Sequence, residues 1–205
     1  MFKKNENISY LNKCKICGNN NLQKVVELNE QYISATFVKS NKDSDLKNIK
    51  TPLTLSLCVD AGDKKSCGHL QLYEIINPDL LYRKYFYRSA TSDTMRKDLK
   101  EVVDSVLKIV KPSEQDIIID TGSNDCTLLN FYPNNLKLVG FEPAQNIDYI
   151  DEGKNIKVIP NYFNSREFTD NFKNKAKIIT SCAMFYDLET PKVFVKDIEN
   201  ILQDD

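Results

Sequence analysis

Four short apolar runs recur through the second half of the chain, separated by polar or helix-like segments. They read DIIID, LKLVGFEP, NIKVIP and AKIITSCAMF, and each is rich in β-branched residues. The three consecutive isoleucines Ile117, Ile118 and Ile119 show no polar alternation, which is typical of a strand buried on both faces. Because strands that alternate with helices form parallel sheets, residues 113–205 are predicted to form an α/β domain with about four parallel strands.

Apolar positions at steps of three and four predict the helices. Residues 94–112, TMRKDLKEVVDSVLKIVKP, fit an amphipathic helix that Pro112 ends, and residues 190–203, TPKVFVKDIENILQ, fit another. Asn77 followed by Pro78 predicts a helix start for the aromatic segment LLYRKYFYR. Residues 77–112 are therefore predicted to be a helical connector.

The first half predicts short strands and a metal site. Residues 22–38, LQKVVELNEQYISATFV, predict a strand, a turn and a second strand, and residues 41–48, NKDSDLKN, predict a charged loop. Together with a strand over residues 54–57, they indicate a β domain spanning residues 1–76. A domain of this size buries little core, so a bound metal would supply much of its stability.

Four of the six cysteines have the spacing of two zinc knuckles. Cys14 and Cys17 form a C-x-x-C pair followed by a glycine, and Cys67 is also followed by a glycine. Cys58 precedes Cys67 by an eight-residue polar insertion, VDAGDKKS. We predict a structural four-thiolate zinc site. Three alternatives remain open: a redox-active C-x-x-C, a core role for Cys58, and His69 as a ligand.

Composition narrows the class of protein. The hydrophobic share of 41% and the charged share of 28% fit a folded soluble chain, and the net charge of −1 argues against nucleic acid as a partner. No apolar run approaches the ~20 residues of a membrane span, and the polar start shows no export signal. We expect a cytoplasmic protein without a membrane partner, whose cysteines bind metal or are buried.

The candidate chemistry of the second half lies in DIIIDTGSNDCTLL. A strand ending at Asp120 and a turn at Gly122 lead to Asp125, where we predict a helix start, an arrangement that can bind a nucleotide-like ligand through bare backbone amides. Glu142 follows Asp120 by 22 residues, close to the offset expected of an acid that binds ribose hydroxyls. A plain α/β crossover with a solvated acid is the alternative.

The chain resembles a known family at several motifs. KCKICG, LCVDAGDKKSCGHLQL, YRKYFYRSATSDTMR, DTGSNDCTLL, GFEPAQNI and SCAMFYDLETPKVFVKDIENIL look like sugar C-methyltransferases that depend on S-adenosylmethionine and carry an N-terminal zinc-binding domain. The resemblance implies a methyltransferase-type Rossmann parallel sheet, here incomplete, preceded by the zinc domain. It also implies methyl transfer to a carbon of a nucleotide-linked keto-deoxysugar.

The resemblance assigns roles to individual residues. Tyr85 and Tyr87 would be candidate catalytic residues in a segment that closes over cofactor and substrate. Cys14, Cys17, Cys58 and Cys67 would bind zinc. The cofactor-binding residues would be Tyr87, Ser89, Asp120, Gly122, Ser123, Asn124, Glu142, Pro143, Asn161, Tyr162, Phe163, Ser181, Ala183 and Phe185. Cys126 stands where the family more often has a glycine, and we expect it to crowd the predicted helix start.

The family's catalytic histidine and later domain have no counterpart in this sequence. The resemblance therefore implies the N-terminal portion of such an enzyme, which we expect to be inactive alone. A non-catalytic zinc-stabilised binding module is the competing hypothesis. A nicotinamide-dependent oxidoreductase is a third, which the single glycine of the turn disfavours. The oligomeric state is not predicted.

Overall fold

The computed structural model describes residues 7–34, 49–60, 62 and 65–204. The chain divides into two compact units, Met1–Phe86 with Glu189–Lys192 and Tyr87–Leu188 with Val193–Asp205. The predicted connector of residues 77–112 is thus shared between the units. None of the described helices has the length and apolar character needed to cross a bilayer.

The described residues of the first unit form two small antiparallel sheets. Strands β1 (Ile8–Tyr10) and β5 (Glu74–Ile76) pair with each other. Strands β2 (Leu22–Tyr32), β3 (Lys50–Cys58) and β4 (Leu70–Leu72) form a second sheet with β3 in the centre. Helix α1 (Pro78–Tyr82) follows, and the Asn77 side chain caps it by accepting from the Asp79 amide.

The second unit is built on a parallel sheet of four strands. In chain order these are β6 (Ile117–Thr121), β7 (Lys137–Phe141), β8 (Lys157–Ile159) and β9 (Ala176–Thr180). Their order in space is β8-β7-β6-β9, and every neighbouring pair is parallel. The predicted α/β class, with four parallel strands and a small β region before them, is confirmed.

Helices cover both faces of this sheet. Helix α2 (Asp93–Ile109) packs Leu99 and Val103 into one apolar cluster with Ile118. Helix α3 (Ser165–Asn171) and helix α4 (Pro191–Ile201) contribute to a second cluster, which holds Ile117 and Ile119. Successive isoleucines point to opposite faces of the strand, so β6 is buried on both sides as its sequence predicts.

Three local predictions are wrong or shortened. No α-helix begins at Asp125: turns and a 3₁₀ segment, Leu129–Phe131, replace it, because Asn124 and Cys126 adopt positive φ of 51° and 68°, which a right-handed helix excludes. The aromatic helix ends at Tyr82. Of the strand, turn and second strand expected over residues 22–38, the first strand is longer than predicted, since β2 is continuous to Tyr32 with two register irregularities.

Some predicted features lie outside the described residues. These are the charged loop of residues 41–48, residues 35–38 of the expected second strand, and positions 61, 63 and 64 of the insertion between Cys58 and Cys67.

Candidate metal centre and cofactor site

The four predicted cysteines converge in the first unit. Cys14 Sγ lies 3.5 Å from Cys67 Sγ, Cys17 Sγ lies 3.5 Å from Cys58 Sγ, and all four sulfurs lie within 4.8 Å of one another. A disulfide would need about 2.05 Å. Tetrahedral zinc with Zn–S bonds of about 2.3 Å separates its sulfurs by about 3.8 Å. The donor set and its spacing therefore fit a zinc ion with four thiolate ligands.

The backbone builds two tight turns around these sulfurs. The Cys14 amide donates to the Asn19 carbonyl, and the Gly18 amide returns to the Cys14 carbonyl. Cys58 ends β3, and its amide donates to the His69 carbonyl just beyond Cys67. Gly18 and Gly68 have φ of 77° and 68°, a conformation that glycine adopts without strain. The glycines after Cys17 and Cys67 thus suit the backbone conformation that the two turns need.

The electrostatics of the cluster favour a bound cation. Burial alone would raise the pKa of the Cys14 thiol, but backbone hydrogen bonds from Cys17 and Ile16 lower it to about 6. A backbone hydrogen bond from Cys67 favours the Cys58 thiolate, yet burial and the adjacent thiols raise the pKa of Cys58 to about 12. Four thiolates can coexist here at neutral pH only when a cation compensates their charge.

The geometry of the cluster bears on the three alternatives for the cysteines. Among the described residues, the group of possible metal ligands contains the four cysteines and not His69. Cys58 is buried, but its sulfur faces Cys17 and not an apolar core. The sulfurs of Cys14 and Cys17 lie nearest to those of Cys67 and Cys58, respectively, and not to each other. This arrangement favours a metal site over a redox-active dithiol.

The predicted acids lie at the carboxyl ends of adjacent strands in the second unit. Asp120 is the fourth residue of β6, and Glu142 directly follows β7. The sheet order reverses beside β6, since β7 and β8 extend to one side and β9 to the other. Ligands of open parallel sheets bind outside the carboxyl ends of the strands at such a switch point. The two acids therefore stand where a ligand is expected.

Both oxygens of the Glu142 carboxylate are fixed by backbone amides. Oε2 accepts from the Asn124 amide at 2.7 Å, and Oε1 accepts from the Ala144 amide at 2.8 Å. Burial raises the pKa of Glu142, while these amides and the charge of Arg88 oppose the rise. A carboxylate has about four acceptor positions, so two remain for ligand hydroxyls.

Asp120 is a nearly isolated buried acid. Its Oδ1 accepts from the Thr180 hydroxyl at 2.7 Å, across the β6–β9 pair. Burial raises the pKa of Asp120 to about 7, and the charge of Glu142 adds to the rise. Thr180 was not predicted as a site residue, because its contact with Asp120 depends on the register of two strands that are distant in the chain.

The turn after β6 uses most of its own amides. Gly122 and Ser123 both donate to the Phe141 carbonyl, at 2.8 and 2.9 Å, and Asn124 donates to Glu142. The expectation of bare amides at a helix N-terminus is therefore wrong for these three residues. Gly122 has φ of 74°, and the Met184 side chain packs beside it. Any ligand here would be recognised by side chains more than by the turn.

Ser123 and Cys126 face the interior. A Cβ on Gly140 would lie 2.4 Å from Ser123 Oγ, so Ser123 packs directly on strand β7. Cys126 is fully buried in the apolar cluster of helix α2 and has φ of 68°. It thus keeps a backbone conformation typical of glycine, and the expected crowding of a helix start does not arise because no helix begins there.

The segment Tyr87–Ala90 is bound to the same turn. The Ser89 amide donates to Asn124 Oδ1 at 3.0 Å, and Asn124 Nδ2 donates to the Tyr87 carbonyl at 3.1 Å. The Ala90 amide donates to Asp125 Oδ2 at 2.9 Å. The structure thus brings Tyr87 and Ser89 together with Asn124. Tyr85 belongs to the first unit, where its ring packs against Tyr82 and Phe86.

The remaining predicted residues follow β8 and β9. Asn161 Oδ1 accepts from the Tyr162 amide, and the partly buried Phe163 packs edge-on against Phe141 of the second apolar cluster. Ser181 Oγ is buried and has no hydrogen-bond partner among the described residues. Such an unpaired hydroxyl at the end of β9 is available to a ligand. The positive-φ Ala183, φ 53°, and the half-exposed Phe185 follow it.

Asp125 is the main residue whose role sequence reasoning missed. The sequence predicts a helix start here, but the residue is 1% exposed, and its carboxylate accepts from the Ala90 amide and from the amide and hydroxyl of Thr127. The available signal was the unusual run Asn124-Asp125 after a glycine turn, since these side chains bind nearby backbone readily.

Two comparisons relate the chain to methyltransferases. Residues 14–82 match the family model Methyltransf_13, described as "Putative zinc binding domain". The chain is 20% identical over 151 residues to C-methyltransferase NovU of Streptomyces niveus. That similarity covers 73% of this chain and 34% of the relative, so the chain matches about a third of the relative's length. The family model and the cysteine cluster together support zinc binding.

Proposed function

We propose that this chain provides the zinc-binding and cofactor-binding parts of a C-methyltransferase that uses S-adenosylmethionine. The observation that carries the proposal is the buried Glu142 carboxylate, held by two amides at the switch point of a parallel sheet. Its two remaining acceptor positions suit the paired hydroxyls of a ribose. The named activity of the relative supports methyl transfer to carbon.

The residues present fit an adenosyl ligand in three respects. Glu142 is oriented to accept hydroxyl donors, Asp120 offers a second acceptor on the adjacent strand, and Ser181 Oγ is an unpaired buried hydroxyl. S-adenosylmethionine, when bound, supplies an electrophilic methyl group. Among this chain's residues, Glu142 would hold the ribose, while Asp120 and Ser181 would orient the methionine part.

The acceptor is proposed to be a nucleotide-linked keto-deoxysugar. Methylation of a carbon beside a carbonyl requires a base that removes the proton. The sequence has one histidine, His69, in the first unit and two residues after Cys67. Tyr85 and Tyr87 are the remaining candidates, and neither is an efficient base alone. We therefore expect the isolated chain to bind cofactor without methylating the sugar.

Calorimetry with S-adenosylhomocysteine tests the proposal. Glu142→Ala should weaken binding by ~1–3 kcal/mol, because ribose hydroxyls and two backbone amides lose their acceptor. Glu142→Gln keeps the volume of the side chain but removes its charge, and serves as a second variant. Glu114→Ala is the matched control, since Glu114 is an exposed acid at the opposite, amino end of β6. Absence of binding heat with the wild-type chain at millimolar ligand would refute cofactor binding.

A zinc-stabilised binding module without catalysis is the second candidate. This function is favoured by an apolar face of the β2–β3–β4 sheet, which carries the cross-strand pairs Leu28–Leu53 and Leu55–Leu72. Leu28, Leu53 and Leu72 are between 39% and 48% exposed, more than a core face would leave open. If the wild-type chain gives no heat with S-adenosylhomocysteine but remains folded with zinc, this second function is favoured.

A further inference from the structure

One residue, Asn124, contacts both the ribose-binding acid and the segment Tyr87–Ala90. Its backbone amide donates to Glu142 Oε2 at 2.7 Å. Its side-chain oxygen accepts from the Ser89 amide at 3.0 Å, and its side-chain nitrogen donates to the Tyr87 carbonyl at 3.1 Å. The backbone amide and both polar atoms of the side chain are thereby used, and the residue is 9% exposed.

The chemistry of the position selects asparagine. Its φ of 51° lies in the left-handed region, which asparagine, aspartate and glycine tolerate best. Of these three, only asparagine carries both a donor for the Tyr87 carbonyl and an acceptor for the Ser89 amide. Aspartate would keep the acceptor and lose the donor, and glycine would lose both while keeping the backbone amide that binds Glu142.

A neighbouring contact fixes the same segment at a third point. The Ala90 amide donates to Asp125 Oδ2 at 2.9 Å, and the other oxygen of Asp125 is held by Thr127. The backbone of the segment is therefore tied to the turn at three groups: the Tyr87 carbonyl and the Ser89 and Ala90 amides. The Arg88 guanidinium also donates to the Asn146 carbonyl in the loop after Glu142.

We infer that Asn124 is a positioning residue that couples the Glu142 carboxylate to the Tyr87–Ala90 segment. The inference rests on the proposed function, because it assigns cofactor binding to Glu142. A ligand that holds Glu142 in place also fixes the amide of Asn124, and the Asn124 side chain then orders the segment that carries Tyr87. By linkage, ordering of the segment must strengthen ligand binding by the same factor.

Hydrogen exchange combined with calorimetry tests this coupling in the zinc-loaded chain. Asn124→Gly removes both side-chain contacts and suits the positive φ, so the turn keeps its path. Asn155→Gly is the matched control, since Asn155 is exposed and has φ of 53° in the same unit. The measured quantities are the exchange rates of the Ser89 and Ala90 amides and the affinity for S-adenosylhomocysteine.

Asn124→Gly should speed exchange of both amides about tenfold and weaken S-adenosylhomocysteine binding about tenfold, because both side-chain hydrogen bonds to the segment are lost. Asn124→Asp keeps the acceptor for the Ser89 amide but sets a carboxylate oxygen against the Tyr87 carbonyl, so it should weaken binding at least as much as Asn124→Gly. Wild-type exchange protection of the β6 and β7 amides in both variants guards against misfolding. Asn155→Gly should match wild type in both measurements.

Two results would overturn the inference. Wild-type exchange at Ser89 and Ala90 in Asn124→Gly would show that the side chain does not hold the segment. Faster exchange with unchanged ligand affinity would show that the segment and Glu142 are not coupled. Absence of binding by the wild-type chain would instead refute the proposed function together with the ligand half of the coupling, while the exchange comparison would still decide whether Asn124 holds the segment.

Discussion

Replacing Gly140 by alanine tests the packing that holds the turn after β6 against strand β7. The added Cβ would lie 2.4 Å from Ser123 Oγ, 2.9 Å from Ser123 Cβ and 3.4 Å from Leu129 Cδ1. Rotation about the Cα–Cβ bond of Ser123 can remove the first contact but not the second. Ser123 cannot retreat freely, because its amide donates to the Phe141 carbonyl at 2.9 Å.

The cost of this substitution follows from overpacking of a buried site. Inserting one methyl group into a packed interior costs about 1–3 kcal/mol when the backbone must shift. Gly140→Ala should therefore lower the urea midpoint of the parallel-sheet unit by ~1 M. The chain has no tryptophan, so circular dichroism and hydrogen exchange of β6 and β7 amides are the suitable measurements.

A substitution at Ser123 separates the cost of its close contact with the added Cβ from other effects of placing alanine at position 140. Ser123→Gly removes both close atoms, so the double variant Ser123→Gly/Gly140→Ala should recover stability relative to the sum of the single variants. Gly122→Ala is the control: its cost comes from φ of 74°, and Met184 at 3.5 Å leaves room for the methyl group. Wild-type stability of Gly140→Ala, or strict additivity in the cycle, would refute the reasoning.

Two further predictions concern metal and pH. Removal of zinc by a chelator should unfold the unit that holds the four cysteines before the parallel sheet, because structural zinc contributes ~10–16 kcal/mol to small domains. If the β3 amides stay protected from hydrogen exchange after metal removal has been verified, this prediction is wrong. The pKa of Asp120 in the folded chain, about 7, lies above its ordinary value of 3.8. The stability that protonated Asp120 contributes is therefore fully present below pH ~4 and is lost as the pH rises to about 7. Asp120→Asn should abolish this loss of stability, which we expect to be ~2–4 kcal/mol in the wild type. If the urea midpoints of variant and wild type fall equally between about pH 4.5 and 8, Asp120 is not responsible for the pH dependence.

Predictions that depend on nearest neighbours agreed best with the structure. The three isoleucines of β6 form a strand buried on both faces, and helix α2 occupies most of the segment predicted from its periodicity. The cysteine spacing and the glycines after Cys17 and Cys67 indicated the convergence of the four sulfurs correctly, because the tight turn around each of these cysteines is a local property. Burial of a strand, the hydrophobic period of a helix and the residues that a turn needs can each be predicted from a few consecutive residues.

Predictions that required tertiary contacts agreed less well. A helix at Asp125 was reasonable from composition, but the side chain of Asp125 instead accepts from Ala90, 35 residues earlier in the chain. Propensity for helix is worth only tenths of a kcal/mol per residue, so one buried carboxylate with specific partners outweighs it. Thr180 could not be predicted because its contact with Asp120 depends on the register of β6 and β9, which are distant in the chain.

The sequence by itself determined the fold class, the two candidate sites and the chemical character of their residues, because these follow from periodicity, spacing and side-chain type. Only the tertiary structure decided how the cofactor-site residues are held. The register of the parallel strands sets Thr180 against Asp120, and the path of the turn sets Asn124 between Glu142 and Ser89. Such contacts join residues far apart in the chain, and they form only once the packed strands have fixed the backbone.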